Sequence, residues 1–372
     1  MARVPRRDVR YADDPFGRAV RAAVADRLQA RGLTPTGGRR LWIKAVVITA
    51  WVLGSYSVLV WAPISSLVTA LATVSLGLAS AGMAMSVKHD ALHRAFSSRR
   101  AVNTGVAHVA TFYGLSASWW KHKHNRLHHG FTNVAGVDDD IDQGRLVRLS
   151  VTQAWRPWHR WQHLYMWGVY PFLFYLSGML GADLAYVLFG RIGGRQVGPP
   201  GVCRALVRLA DKLKGLVLLV GVALLFHPAA AVVAVAFAAS VIMGTVWSVN
   251  IVVQHTFESD AFLEAEPVSR RVGLGWAEAQ VRGTANVAVR NPVWRWYVGG
   301  LNRHIEHHLF PRLSHVHLDE IAPIVRSECR RHGLPYCEFP SVWSALAAHH
   351  RFLRELGRCP APVELPSAHV VA

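Results

Sequence analysis

Histidines in three clusters are the side chains of this sequence with the clearest capacity for chemistry. The clusters are His89 and His93, then His124, His128 and His129, then His304, His307 and His308. Imidazole is the commonest side-chain ligand of transition metals, so this density predicts a metal site built from three separate parts of the chain. The four cysteines include no C-x-x-C pair, so thiolate metal sites are not indicated.

Spacing within the clusters suggests how the imidazoles share metal ions. His89 and His93 are four residues apart, so on a helix they point the same way and can bind one metal. Adjacent residues on a helix point about 100° apart. His128 and His129 can therefore serve two different metals, and His124 shares a face with His128.

His255 is a further candidate ligand. It comes just after the fourth apolar segment, the same position that His89 has after the second apolar segment. The alternative is a hydrogen-bonded histidine at the membrane interface. The remaining histidines near these segments are interpreted as bystanders or as partners of the ligands. They are His108, His122, His163, His315 and His317.

The elements that must position these histidines are apolar. Of the 372 residues, 52% are hydrophobic and only 17% are charged, which predicts a membrane protein that crosses the bilayer several times. The formal net charge is +18, and the basic residues flank the apolar segments instead of forming one basic patch. This distribution therefore favours basic residues on a cytoplasmic face at an anionic membrane. Nucleic-acid binding is the least favoured of the functions considered.

The apolar pattern predicts an all-α fold with four membrane spans in two hairpins, joined by interfacial helices. The spans are residues 41–62, 64–86, 214–226 and 229–253, and Pro63 marks the first turn. If all histidine clusters lie on one face, an even number of spans separates the second cluster from the third. Residues 167–189 are therefore assigned to the interface, because a span there would place the Arg and Lys residues that follow it outside.

Charge distribution places the termini and the histidines on the cytoplasmic side. Residues 1–40 are rich in arginine, whereas the tip of the first hairpin has no Lys or Arg. Phe16, Val20, Val24 and Leu28 recur every four residues, which predicts an amphipathic helix on the membrane surface or packed on the main domain. The domain is expected at 41–357, with a disordered tail at 358–372.

Two further amphipathic helices are predicted near the C-terminus, at about residues 318–332 and 341–356. We expect them to form a helical cap that covers the histidine-rich site from the cytosol. High usage of Arg, Ala and Val is typical of a GC-rich bacterial genome, so a bacterial cell membrane is the expected location.

The motifs H-x-x-x-H at 89–93, H-x-x-x-H-H at 124–129 and H-x-x-H-H at 304–308, in this order, resemble the three histidine boxes of the membrane fatty acid desaturase family. The stretch GLNRHIEHHLFP at 300–311 is similar to the third box of the acyl-lipid and front-end branch. Residues 136–142 and 321–325 also fit the bacterial members of that branch. His304 stands where many front-end members carry glutamine, which weakens a prediction of front-end regiochemistry.

The resemblance implies a site of two iron ions that activates dioxygen and removes two hydrogens from an acyl chain to form a C=C bond. The implied ligands are His89, His93, His124, His128, His129, His304, His307 and His308, and His255 matches a histidine frequent in this branch. The substrate would be a fatty acyl lipid or an acyl thioester. The haem domain fused to many front-end members is absent from this sequence, which implies a separate electron donor of ferredoxin or cytochrome type.

Chemistry supports iron, because breaking an unactivated C–H bond needs a redox-active group and zinc cannot change its oxidation state. Each bound imidazole also needs an acceptor for its second nitrogen. The nearby candidates, each of which could instead be solvated, are Asp90, Asp138, Asp140, Asp142 and Glu306.

Two alternatives to a desaturase remain at this stage. A lipid or carotenoid hydroxylase of the same superfamily could use the same ligands to insert oxygen. A histidine-rich membrane metal transporter is less well supported, because transport favours ionisable residues inside the spans. Residues 64–86 and 229–253 contain none.

Overall fold

The computed structural model describes residues 9–62, 66–110, 116–142, 144–172, 181–192, 195–196, 201–259, 262–264 and 271–358. This part of the chain is mostly helical. The α-helices are α1 (Pro15–Ala30), α2 (Gly38–Trp61), α3 (Ser66–Gly82), α4 (His89–His93), α5 (Arg100–Val109), α6 (Ala117–His122), α7 (Gln162–Phe172), α8 (Ala182–Phe189), α9 (Val202–Leu216), α10 (Ala229–Val252), α11 (Trp276–Arg282), α12 (Pro292–Tyr297), α13 (His304–Leu309), α14 (Leu318–Arg331) and α15 (Val342–Gly357).

Shorter helical turns and strands complete the described part. Three π-helical turns lie at Met83–Lys88, Lys123–His128 and Val217–Gly221, and 3-10 turns lie at Asp139–Ile141, Pro157–Trp161, Ala223–Leu225 and His315–His317. Three strand pairs, each two residues long, are β1 (Arg10–Tyr11) with β4 (Arg271–Val272), β2 (Arg191–Ile192) with β3 (Arg195–Gln196), and β5 (Asn286–Val287) with β6 (Glu338–Phe339). The β2–β3 pair is antiparallel and the other two are parallel.

Three helices of the described part are long and apolar enough to cross a bilayer: Gly38–Trp61, Leu67–His93 and Ala229–Val252. They match three of the four predicted spans, although Pro63, the predicted turn, lies outside the described residues. The second helix is continuous through the π-helical turn Met83–Lys88 and ends at His93. The first histidine cluster therefore lies at the end of a helix that is long and apolar enough to cross a membrane.

The other two candidate segments have different structures. Residues 214–226 form the end of a longer helical stretch that starts with α9 and runs through the following π and 3-10 turns. Residues 167–189 include the end of α7 and all of α8, and residues 173–180 between them lie outside the described part.

Of the three long helices, α3 packs against both α2 and α10. Between α2 and α3, Trp51 Nε1 donates a 2.9 Å hydrogen bond to the Ser75 hydroxyl. Between α3 and α10, a Cβ at Gly77 would lie 2.8 Å from the Ala239 carbonyl oxygen, so this crossing requires glycine. Gly77 therefore allows the helix that carries the first cluster to pack closely against α10.

The predicted amphipathic helix α1 packs on the main domain. Phe16, Val20 and Val24 are buried against α11 and α14. Arg27 Nη2 lies 2.6 Å from Glu320 Oε1 on α14, which adds an exposed ion pair to the apolar contact. In the structure this helix packs on the protein, because α14 has an apolar face that is complementary to its own.

Candidate metal centre

The first box lies on α4, directly after the π-helical turn Met83–Lys88. His89 and His93 are buried, and their ring centroids are 4.7 Å apart, as expected for residues one helical turn apart. Arg94 follows the last helical residue as its C-cap and adopts a left-handed conformation with φ of 64°. The two imidazoles therefore point together into the protein at the end of a membrane-crossing helix.

The second box lies on the π-helical turn Lys123–His128. Here the backbone N–H of His129 donates to the carbonyl of His124, five residues earlier, at 3.0 Å. The turn brings the Nε2 atoms of His124 and His129 within 3.1 Å of each other, while His128 remains 5.3 Å from His124 between ring centroids. Because the turn is wider than an α-helical one, all three imidazoles of this box are directed inward.

The third box lies on α13, and a glycine sets its approach to the first box. Gly299 has φ of +61°, and a Cβ there would lie 2.7 Å from the carbonyl oxygen of Met85, in the π-helical turn before His89. Glycine is therefore needed for both the conformation and the close approach. On the other side, Asn286 Oδ1 of β5 accepts the backbone N–H of Ile305 at 2.9 Å and holds the start of α13.

The three boxes converge in two adjacent sets of buried imidazoles. The first histidine group is His89, His93, His124 and His307, and the second histidine group is His128, His255 and His308. Within each group the potential ligand atoms lie within 4.8 Å of one another. His124, His128 and Asp140 form a third, overlapping set.

The two remaining box histidines adjoin these groups. His129 Nε2 lies 3.1 Å from the Nε2 atoms of both His124 and His307 in the first group. His304 Nε2 lies 2.8 Å from His255 Nε2 in the second. All nine histidines singled out in the sequence are thus brought together, including His255.

The imidazoles fit a metal better than they fit each other. A neutral imidazole has one N–H and one acceptor nitrogen, yet His124 Nε2 faces the Nε2 atoms of His89 and His129 at 3.3 and 3.1 Å, so these contacts cannot all be good hydrogen bonds. Within the described part, buried nitrogens without a hydrogen-bond partner include His93 Nε2 and His308 Nε2. Metal ions among these nitrogens would satisfy them, and a neutral nitrogen donor set suits a transition metal.

Burial keeps most of the centre neutral, which is the form that binds metal. Burial, followed by neighbouring imidazoles, holds the pKa well below the ordinary value for His124, His129, His304, His307 and His308. Burial, followed by His128, lowers the pKa of His255 to about 3. Protons therefore compete weakly with a metal for these nitrogens.

His128 differs because two carboxylates face its outer nitrogen. Burial lowers the pKa of His128, but Asp138 and then Asp140 outweigh it, so the net pKa is raised. Its Nδ1 lies 3.1 Å from Asp138 Oδ2 and 3.2 Å from Asp140 Oδ2. This contact keeps the proton on Nδ1 and leaves Nε2 free to bind a metal.

The other two histidines of the second group also have partners for their outer nitrogens. His255 Nδ1 lies 3.0 Å from the Gly283 carbonyl oxygen, and His308 Nδ1 lies 2.9 Å from Gln280 Oε1. The Thr132 hydroxyl donates to Gln280 Oε1 at 2.7 Å and orients that amide. The sequence analysis missed Gln280 and Gly283, which belong to no motif and reach the centre only through the fold.

Asp90, Glu306 and Asp142, the other predicted acceptors, are bonded elsewhere in the described contacts. Asp90 Oδ2 accepts from Ser314 Oγ at 2.6 Å and lies 3.0 Å from His315 Nδ1. Glu306 accepts from Asn286 Nδ2 at 2.8 Å and from the Tyr336 hydroxyl at 2.7 Å, so it fixes α13 to its surroundings. Asp142 Oδ1 accepts a long 3.4 Å bond from Gln153 Nε2.

The histidines interpreted as bystanders form contacts of their own. His108 Nδ1 lies 2.9 Å from Asp211 Oδ1, and His317 Nε2 lies 3.0 Å from the Thr36 carbonyl oxygen. His122 stacks on Tyr186, and His163 packs against His350. His315 is the one among them that connects to a box, through Asp90.

Comparison with known proteins agrees with this geometry. The fatty acid desaturase family model matches residues 64–340. The sn-1 linoleoyl-lipid 6-desaturase of Arthrospira platensis is 32% identical over 349 residues, which cover 92% of each chain. The enzyme of the same name from Synechocystis sp. is 31% identical over 348 residues, covering 92% of this chain and 96% of that protein.

A plant relative extends the comparison. The acyl-lipid (8-3)-desaturase of Physcomitrium patens is 29% identical over 354 residues, which cover 93% of this chain and 73% of that protein. The family match, the relatives at above 30% identity and the histidine centre together lead to one conclusion. The chain belongs to the fatty acid desaturase family, as a membrane fatty acyl desaturase.

Proposed function

We propose that this desaturase acts on the acyl chains of membrane lipids, binds two iron ions, consumes dioxygen and receives electrons from a separate donor of ferredoxin or cytochrome type. One observation carries the proposal: two adjacent groups of buried imidazoles that can each surround one metal ion. The acyl-lipid substrate is supported by the names of the relatives, which include two sn-1 linoleoyl-lipid 6-desaturases.

The ligands of each ion follow from the nitrogen contacts. We assign His89, His93, His124, His129 and His307 to one ion. The other ion is assigned to His128, His255, His304 and His308. When bound, two iron ions supply the oxidising chemistry that an unactivated methylene group requires and that no side chain can provide.

The residues around the second ion hold its ligands in the binding tautomer. The carboxylates of Asp138 and Asp140 keep a proton on His128 Nδ1, and Gln280 Oε1 does the same for His308 Nδ1. Each of these imidazoles then presents Nε2 to the metal with a fixed ring orientation. Burial of the ligands excludes bulk water from the centre.

The stoichiometry of the reaction requires an electron donor. Removing two hydrogens from –CH2–CH2– supplies two electrons and two protons, whereas reducing dioxygen to two water molecules takes four of each. A donor must therefore provide two electrons, with two protons from solvent. We assign that role to a soluble or membrane-bound carrier that meets the enzyme on the cytoplasmic side.

Four spans in two hairpins remain our proposed topology, with the termini and the histidines on the cytoplasmic face. Contacts at both ends of residues 214–226 support a fourth, short pass. At one end Lys214 Nζ donates to the His108 carbonyl at 2.6 Å. At the other, His227 Nε2 lies 2.9 Å from the Val60 carbonyl oxygen, beside the end of α2 at Trp61. A reporter fused after residue 357 should report the cytoplasm, and an external signal would contradict the topology.

The activity is tested by mass spectrometry of the lipids of cells that express the wild type, His307→Ala or His163→Ala, with derivatisation to locate double bonds. His163 lies outside the centre and is the matched control. We expect an acyl species lighter by two hydrogens in the wild type and the control, and none in His307→Ala. A product heavier by one oxygen would instead assign the enzyme as a hydroxylase, and activity in His307→Ala would contradict the ligand assignment.

A further inference from the structure

A basic cavity of about 400 Å³ lies beside the N-terminal end of α2, outside the metal centre. Its lining includes the cationic side chains of Arg40, Lys44, Arg295 and Arg303, and the carboxylate of Asp319. Part of its wall comes from Gly300 and Asn302, just before the third box. The cavity is large enough for a phosphodiester group, and its charge is suited to an anion.

Lys44 carries the argument, because this residue is only 2% exposed and lies in a helix long and apolar enough to cross a membrane. Nζ contacts the Trp296 carbonyl oxygen and lies 2.9 Å from His315 Nε2, which uses two of its three N–H donors. No carboxylate of the described residues lies within 4.0 Å of Nζ. The Asp90 carboxylate lies on the far side of His315, 3.0 Å from Nδ1, and does not contact Nζ directly. A buried ammonium is destabilised by desolvation, so an anion in the cavity would give it a direct partner and stabilise it.

The arginines at the rim extend this positive site. Asp319 is shared between Arg303 Nε at 2.8 Å and Arg295 Nη1 at 3.8 Å, and Arg303 also binds Glu338 at 2.5 Å. Arg40 is exposed at the opening. Arg40 and Arg295 both line the cavity, and guanidinium groups are well suited to binding phosphate oxygens.

The position of the cavity identifies the source of the phosphate. Trp42 and Ile43, on the same turn of α2 as Lys44, are 48% and 53% exposed on the apolar surface of a membrane-crossing helix. Trp296, which forms a wall of the cavity, is 40% exposed, and tryptophan is typical of the membrane–water interface. The cavity therefore opens at the depth of lipid headgroups, where the abundant anion is lipid phosphate.

We propose that this cavity binds the phosphate-bearing headgroup of an anionic glycerophospholipid from the surrounding bilayer. The site is separate from the metal centre, and the inference goes beyond the proposed desaturation. Bound phosphate would join Lys44 of α2 to Arg295 of α12, beside the loop that leads into His304. Lys44 also reaches the first box through His315 and Asp90, so the lipid would stabilise the segments beside the first and third boxes.

The test is native mass spectrometry of the purified full-length protein in detergent, titrated with phosphatidylglycerol or with phosphatidylcholine of identical acyl chains. Identical chains make any binding of the acyl tails equal in both titrations. The test variant is Arg40→Gln with Arg295→Gln, both at the rim. The matched control is Arg160→Gln with Arg354→Gln, which line a separate basic cavity beside Trp155.

We expect the wild type to bind phosphatidylglycerol more tightly than phosphatidylcholine. The rim variant should lose roughly tenfold or more in affinity for phosphatidylglycerol, and the control should change by less than about twofold. Equal affinity for both lipids, an unchanged rim variant or an equal loss in the control would overturn the proposal. Displacement of phosphatidylglycerol by equimolar inorganic phosphate would instead assign the cavity to soluble phosphate and also overturn it. Binding is measured without turnover, so the result is independent of the desaturase assignment.

Discussion

The two histidine groups of the metal centre are held in different ways. In the second group, His128, His255 and His308 each have a partner for the outer nitrogen: carboxylates, a backbone carbonyl and an amide oxygen respectively. In the first group, the backbone does more of the positioning. His89 and His93 follow one π-helical turn, and His124 lies within another, which also contains His128 of the second group.

One metal centre is thus organised by two physical means. Hydrogen bonds fix the tautomer and ring angle of the second group, whereas wide helical turns and a close glycine contact fix where the first group lies. Substitutions of outer partners should therefore affect the second group, and changes to the backbone should affect the first.

The largest expected effect comes from removing one ligand from each group. His307 and His308 are adjacent in α13 but belong to different groups, so His307→Ala and His308→Ala form a matched pair. We expect each to reduce desaturation to background and to lower bound iron, by destroying a different half of the centre. Lipid mass spectrometry and elemental analysis measure both. Retained activity in either variant would remove that histidine from the ligand set.

The second expected effect is at the carboxylate that faces His128. Asp138→Asn should reduce activity or iron affinity by about 10- to 100-fold, because the amide holds the His128 tautomer less firmly than a carboxylate does. Asp142→Asn, whose described bond is to Gln153, is the control and should change either quantity by less than about threefold. Iron titration of the apoprotein measures the difference. Equal losses in the two variants would contradict a specific role for Asp138.

A backbone change should act on the first group. Gly299→Ala places a Cβ 2.7 Å from the Met85 carbonyl oxygen, whereas Gly32→Ala, at a similar φ of +60°, meets nothing within 4 Å. Both carry left-handed strain, but only the first adds a clash, which we expect to lower stability by about 1–3 kcal/mol more. Thermal unfolding in detergent compares them. Equal melting temperatures would show that the π-helical turn does not depend on this contact.

The smallest expected effect is loss of the amide partner of His308. Gln280→Leu removes a neutral hydrogen bond, so we expect a threefold to tenfold loss of activity, roughly the worth of one such bond. Ser341→Ala, in the cap of α15 away from the centre, is the comparison variant. A loss as large as that of Asp138→Asn would show that neutral and charged partners are equivalent here.

Local sequence patterns predicted the long apolar helices and the histidines of the centre. The apolar lengths predicted the helices at Gly38–Trp61, Leu67–His93 and Ala229–Val252, because a bilayer imposes length and composition on each span. The histidine motifs identified the eight box imidazoles that the fold brings together, but not how they divide into two groups. His255 was singled out because it follows a span, and it lies within the second group.

Other features could not be read from local patterns. A helical period of 3.6 residues predicts that His124 and His128 share one face. The π-helical turn also brings His129 beside His124. Gln280 reaches His308 only because α11 packs on α13, which no spacing encodes. The amphipathic pattern of α1 suited a membrane surface and a protein surface equally, and the apolar face of α14 decided between them.

The number and identity of the bound metal ions distinguish a centre of two iron ions from any other metal content. Purified active wild-type protein should contain two iron atoms per chain by elemental mass spectrometry, with amino-acid analysis to quantify the chain. His307→Ala and His308→Ala should each contain less. One iron per chain in fully active protein, or zinc in place of iron, would contradict a centre in which two histidine groups each hold one iron ion.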